Sequence, residues 1–227
     1  MNEQLTEVTE LLNRYSVRHW VDDGTLLGLV RDSELPESDG DIDIGVCIED
    51  KEELNAIVPG MENNGYKLVK KTFHGLTTSY AFKPVFYKRF KTHERPINIK
   101  FYRNDNGHRW YPTYRRMNGD SFRLKDWHLA RLYRKFFKQI RHEMRLPTWP
   151  KQIYDVRTYW VPEKYFEDLS PLQEYNTYTP MPVNQYLKFK FGPDWRIPTD
   201  DWDYWEDDGA IRSEPPETLI EEPPWLE

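Results

Sequence analysis

Cysteine is all but missing from this chain, with one residue, Cys47, in 227. A single thiol excludes an internal disulfide framework and a multi-cysteine zinc site. Long apolar runs are missing too: no stretch reaches the roughly 18 apolar residues that suggest a membrane-spanning helix. The six histidines are scattered without metal-ligand spacing, so none is given a catalytic role. Nor does the polar start, Met1-Asn2-Glu3-Gln4, look like a secretory signal. Duplex nucleic acid is not an expected partner, because the net charge is −6 and no reading motif is present. Together these absences predict a cytoplasmic protein built as one large domain, or a domain with an appendage, around an ample core.

What is present concentrates between Trp20 and Gly45, WVDDGTLLGLVRDSELPESDGDIDIG. Residues i and i+2 of a strand share a face and lie roughly 6.5–7 Å apart, so Asp41 and Asp43 aim together while Ile42, Ile44 and Val46 pack behind. Asp is depleted in strands, and its appearance twice on one face of an apolar strand needs a reason. A divalent cation supplies one, since Mg²⁺ is commonly held by one or two carboxylates plus substrate phosphates. Upstream, Gly24-Thr25 opens a run in which Leu26, Leu27 and Val30 recur at helical spacing, so a helix start with its backbone N–H groups faces the same cavity. Asp22 and Asp23 sit just before that turn, where helix capping is the plain reading and support of an active site the functional one. For Asp39-Gly40 a tight bend is the plain reading.

The pattern Trp-x-Asp-x-Gly-Thr-Leu-Leu-Gly-x-x-Arg, a Pro, then Asp-x-Asp-Ile-Asp resembles the LicD family of phosphotransferases, the group that also contains fukutin and the fukutin-related protein. Trp20, Asp22, Gly24, Thr25, Leu26, Leu27, Gly28, Arg31, Pro36, Asp39, Asp41, Ile42 and Asp43 carry it. A second match, Pro182 to Leu187 followed by Phe191-Gly192-Pro193-Asp194-Trp195 and Pro198, is similar to the family's closing signature. Two signatures in order are much more specific than either alone. The resemblance implies a nucleotidyltransferase-like fold and a metal-dependent transfer. Asp41 and Asp43 would bind Mg²⁺ or Mn²⁺, with Gly24, Thr25 and Arg31 holding phosphate oxygens and Asp22 in support. Asp39 is the candidate base. The implied donor is nucleotide-activated and CDP-linked, such as CDP-choline or CDP-ribitol, and the acceptor a hydroxyl of a glycan or lipid-linked glycan. The alternatives are a nucleotidyltransferase that uses an NTP and releases pyrophosphate, and a non-catalytic glycan- or nucleotide-binding protein.

The chain departs from the family where Gly40 interrupts the acidic run. It departs again at the third acid of a later strand, for which Pro96-Ile97-Asn98-Ile99-Lys100-Phe101-Tyr102 offers Asn98. An amide is a weaker ligand and no base. Either Asn98 is not the equivalent position, or the role passes to Asp105, Glu94 or Asp39.

Helices are expected at Leu5 to Tyr15 and at Lys51 to Val58, ending at Pro59-Gly60. Strands are expected at Tyr66 to Thr72, Thr77 to Lys83 and Ile97 to Arg103, with Asn106-Gly107 as a hairpin turn into His108 to Tyr114. Trp110 to Tyr114 reads as core, or as a sugar-stacking wall. The result is an α+β fold, a mixed sheet flanked by helices with a helical C-terminal part. A long helix from Asp126 to Arg145 bears an apolar stripe opposite a basic face, either solvated or laid against an anionic polymer or membrane surface. From Thr199 to Glu227 there are eleven acids and one base, so the catalytic domain at 1–198 carries +4 and the tail at 199–227 carries −10. Prolines forbid a long helix there, while its tryptophans suggest docking. Cys47 reads as a buried, inert thiol.

Overall fold

The computed structural model describes residues 2–36, 39–73, 76–85, 94–116, 154–199 and 201–212. The expected helix 126–145 and Trp225 lie outside them. Residues 1–113 and 157–227 form one compact unit and 114–156 another; the site lies in the first.

Helix α1 (Glu3–Arg14) starts where the Asn2 side chain accepts from Leu5 N, and it buries Leu5, Val8, Leu11 and Leu12 on one stripe. Tyr15, expected on that stripe, is 41 % exposed because the helix has already ended. Strand β1 (His19–Val21) leads directly into α2 (Asp23–Arg31). The chain then turns through Pro36 to β2 (Ile42–Cys47), whose six residues are all buried. Gly28 permits that return, since a Cβ there would stand 2.3 Å from Pro36 Cδ.

Helix α3 (Lys51–Asn63) runs past the expected stop at Pro59. Proline removes one backbone bond to the preceding turn, but Leu54, Ile57 and Met61 are all buried and Gly60 lies against Leu11, so packing carries the helix one turn further. Strands β3 (Tyr66–Phe73) and β4 (Leu76–Pro84) form an antiparallel pair, and β4 delivers the chain to β5 (Ile97–Asp105).

Strand β5 organises the sheet. Its first part lies between β4, antiparallel, and β2, parallel, with Asp43 opposite Asn98 and Gly45 opposite Lys100. Its last three residues pair instead with β6 (His108–Arg116). Asn106 and Gly107, both at positive φ, make the tight turn between them, as the dipeptide predicted. Beyond β6 follow β7 (Tyr154–Pro162) and β10 (Ile211–Arg212), giving eight strands that are mostly antiparallel. Between these come α4 (Lys164–Glu167), the small hairpin β8 (Ser170–Leu172) and β9 (Thr177–Thr179), α5 (Val183–Phe191) and α6 (Tyr204–Asp207).

Part of the acidic C-terminal stretch is therefore structured. Trp205 is buried beneath the Arg157 guanidinium, Trp202 packs on Phe191, and β10 extends the sheet. Aromatic packing also sets the sheet's central spacing. Trp20 faces Gly45 across β1 and β2, where a Cβ would approach the indole to 2.3 Å, and it packs on Tyr102 and Phe166. Trp110 and Tyr111 are buried, the latter stacked on Tyr159, so these two rings belong to the core and not to an open wall. Cys47 is buried and its thiol pushed up to about 11 by desolvation, as an inert core cysteine should be.

Candidate active site

Asp41 and Asp43 stand at the start of β2 and face the alternating polar side of β5. Asn98 Nδ2 donates to Asp41 Oδ2 at 2.5 Å, and Lys100 Nζ lies 3.0 Å from Asp43 Oδ1. Asn98 and Lys100 are i and i+2 on one strand, so their two partners share that face. Asp39 joins them from the loop. Its carboxyl fits against Gly24, where a Cβ would come within 2.4 Å of Oδ2. That Oδ2 is buried and accepts no hydrogen bond among the described residues.

The crowding of three carboxyls raises two of them, Asp39 and Asp43. Burial, then the charges of Asp43 and Asp41, pushes Asp39 up to about 7, where it can both take and give a proton near neutrality. Asp43 is also raised, by burial first and by Asp41 and Asp22, although Lys100 opposes the rise.

The helix start lies alongside. Asp43 N donates to Thr25 Oγ1 at 2.9 Å, which ties the first turn of α2 to the carboxylate strand. Gly24 and Thr25 fall inside that turn and not before it, and first-turn amides have no intrahelical acceptor. Thr25 thus has a holding role that the motif alone does not reveal. Arg31 is not brought to the carboxylates. It sits at the other end of α2 and forks onto Asp32 at 2.8 and 3.0 Å.

Asp22 and Asp23 belong to a second, deeper network. Asp22 is fully buried and accepts from Tyr102 Oη at 2.5 Å, Tyr186 Oη at 2.7 Å and Lys190 Nζ at 3.1 Å. Burial alone would raise it, but Lys190, Lys100 and the two hydroxyls hold it below the usual carboxylate range. Asp23 opens α2 with φ at +47°, a left-handed conformation that Asp tolerates better than most residues. Its carboxylate bonds Lys100, Lys190 and Tyr159 Oη, and Tyr159 continues to Asp208 at 3.0 Å. The capping role expected of Asp22 reduces to one bond, from Asp23 N.

Lys71, Lys100, Lys190, Tyr159 and Tyr186 are the site residues that the sequence did not disclose. A signal existed for two of them. Lys190 falls four residues after Tyr186 and three after Leu187, the buried stripe of α5. Lys100 shares the strand face of Asn98. Lys71 donates to Asn98 Oδ1 at 3.4 Å, and burial with the nearby Lys100 charge lowers its ammonium below the ordinary lysine value. Among the other candidates for a third acid, Asp105 pairs with His108 at the far end of β5, and Glu94 is exposed.

The donor set fits a hard cation. It offers carboxylate oxygens in a partly buried group, and Asp39 Oδ2 has no donor among the described residues. Among the described residues no group of three His, Cys, Asp or Glu side chains converges as a closed metal cage. Two carboxylates completed by water and ligand phosphates match that geometry better. Among the described residues no helix is long and apolar enough to cross a membrane.

A parallel β2/β5 pair bearing paired acids beside a helix start is the frame on which comparison with known proteins bears. Residues 16–116 match the family described as LicD/FKTN/FKRP, nucleotidyltransferase domain. The match covers less than half of the chain; it is consistent with a LicD-family protein, and that family suggests a transferase. An uncharacterised protein of Rickettsia prowazekii (strain Madrid E) is 39 % identical over 62 residues, 27 % of this chain and 23 % of that protein. Another from Rickettsia typhi (strain ATCC VR-144 / Wilmington) is 34 % identical over 64 residues, 28 % of this chain and 21 % of that protein. The chain thus spans less than a quarter of either relative. Among solved structures, ANT(2")-Ia in complex with adenylyl-2"-tobramycin aligns at 15 % identity over 46 % of this chain and 53 % of that one, with a TM-score of 0.33.

Proposed function

We propose that the chain is a metal-dependent phosphotransferase of the nucleotidyltransferase-like fold. It would move a phospho-group from a CDP-linked donor, such as CDP-choline or CDP-ribitol, to a glycan hydroxyl. The observation that carries this reading is the placement of Asp41 and Asp43 on one face, beside the first turn of α2, inside the LicD-type segment. Mg²⁺ or Mn²⁺ held by Asp41 and Asp43 would neutralise the donor's diphosphate and stabilise charge on the leaving phosphate. The chain's own groups do the rest. The amides of Gly24 and Thr25 suit phosphate oxygens. Asp39, beside that pair, would accept the proton of the attacking hydroxyl as its oxygen bonds phosphorus and the P–O bond to the nucleoside monophosphate breaks. Asp22 and Lys190 hold the helix start in register and touch no reactant.

Thermal unfolding with Mn²⁺ and a panel of CDP-choline, CDP-ribitol, CDP-glycerol, UDP-sugars, CTP and ATP tests the proposal. A ligand at 100 times its Kd adds about 2.7 kcal/mol, or roughly 5–10 °C for a chain of this size. The expected result is a metal-dependent shift with a CDP-linked compound that Asp41→Asn abolishes. A shift with NTPs alone, with pyrophosphate released, would replace this reading with nucleotidyl transfer. A shift that survives Asp41→Asn would make the chain a binding protein.

A further inference from the structure

We infer that Lys100 is a built-in counter-ion that guards the carboxylate site and, when a divalent cation enters, becomes a ligand for the anionic phosphates of a nucleoside diphosphate. The inference rests on the proposed metal-dependent reading of this site. Its starting observation is that one ammonium, 16 % exposed, bridges two carboxylates from different elements: Asp23 at the start of α2 and Asp43 on β2. The two arms of that bridge are unequal. Asp23 is fixed by its left-handed backbone and by Lys190 and Tyr159, so it stays in place. Asp43 stands instead beside two further carboxylates, Asp41, which bonds Asn98 across from it, and Asp39, which lies against Gly24.

A divalent cation on Asp41 and Asp43 competes directly with the Lys100–Asp43 contact, because both are cations claiming the buried Asp43 carboxylate, where the local dielectric is low. Lys100 then retains Asp23 and has donor capacity to spare, since an ammonium offers three N–H groups. A diphosphate is the anion that satisfies it while also completing the coordination that two carboxylates leave open. Lys71 on β3 donates to Asn98, which in turn donates to Asp41, so a second ammonium stands by the carboxylates and adds to the preference for an anion. Cation and nucleotide should therefore bind with strong mutual support, and Lys100 should oppose the first while favouring the second.

That opposition gives a test that loss of structure does not imitate. Mn²⁺ affinity is measured by electron paramagnetic resonance without nucleotide, and CDP affinity by calorimetry at saturating Mg²⁺. For Lys100→Met we expect Mn²⁺ to bind about tenfold tighter and CDP about tenfold weaker, the scale of one lost or gained charge contact. Asp23→Asn, whose amide also tolerates positive φ, leaves Lys100 wholly on Asp43 and should weaken Mn²⁺ about tenfold. Lys100→Arg should restore CDP binding to near the parent value. Parallel weakening of both ligands in Lys100→Met, or Mn²⁺ affinity unmoved in both variants, overturns the inference while leaving the metal-dependent reading in place. Absence of Mn²⁺ binding by the unmodified chain overturns both.

Discussion

Two carboxylates 21 residues apart in sequence, Asp22 and Asp43, are both almost wholly buried, yet their environments drive them in opposite directions. Asp22 receives two tyrosine hydroxyls and the fully buried Lys190, and is held below the ordinary range. Asp43 shares its surroundings with Asp39 and Asp41 against one bridging ammonium, and is held above it. Burial is common to both; what differs is whether the protein itself provides the compensating charge and donors. The first network is complete and fastens the helix start. The second is left short of positive charge, a deficit that the proposed cation would relieve.

The largest effect expected from breaking this contrast is Lys190→Met. It strands a buried carboxylate and should cost about 3–5 kcal/mol, read as a lower urea midpoint with an unchanged slope. That deficit should shrink in acid. Asp22 has a depressed folded value, so its stabilising contribution is full above the unfolded pKa of about 3.9 and disappears as the pH falls through the folded one. A deficit that stays constant down to pH 2 would mean that Lys190 acts by packing alone. Tyr186→Phe removes a single donor to the same carboxylate and should cost about 1–3 kcal/mol by the same measurement. Asp39→Asn probes the other network, with an effect of opposite sign. The folded value of Asp39, about 7, lies above the unfolded one, so the native state loses stability as pH rises between them. The variant should match the parent near pH 4 and melt higher at pH 8 in the absence of metal; equal melting at both would contradict the crowding of charge at Asp39.

The contrast also explains how much was legible beforehand. Asp41 and Asp43 declared themselves through the two-residue strand period, the helix start through Gly24-Thr25, and the β5–β6 turn through Asn106-Gly107. Each signal is local, and each local geometry formed. The extension of α3 past Pro59 was not legible because its cause, packing against α1, lies far away in sequence. The same holds for the tyrosine and lysine donors. Tyr102, Tyr159, Tyr186 and Lys190 reach Asp22 and Asp23 across 80 to 168 residues, and no periodicity encodes which acid a buried base will meet. Thr25 resembled a phosphate holder because a hydroxyl at a helix start suits either task; only the register of β2 beside α2 shows it receiving Asp43 N. Arg31 was read from its motif position, but a helix of nine residues is long enough to set it at the opposite end from Thr25.

The most direct test of the account is a titration of Mn²⁺ onto the unmodified chain, Asp41→Asn and Tyr186→Phe, followed by paramagnetic resonance of the free ion. The account predicts saturable binding by the parent, loss of that binding in Asp41→Asn, and an affinity in Tyr186→Phe close to the parent's, because Asp22 lies in the network that is already complete. Equal binding by all three proteins, or none by the parent, would contradict it.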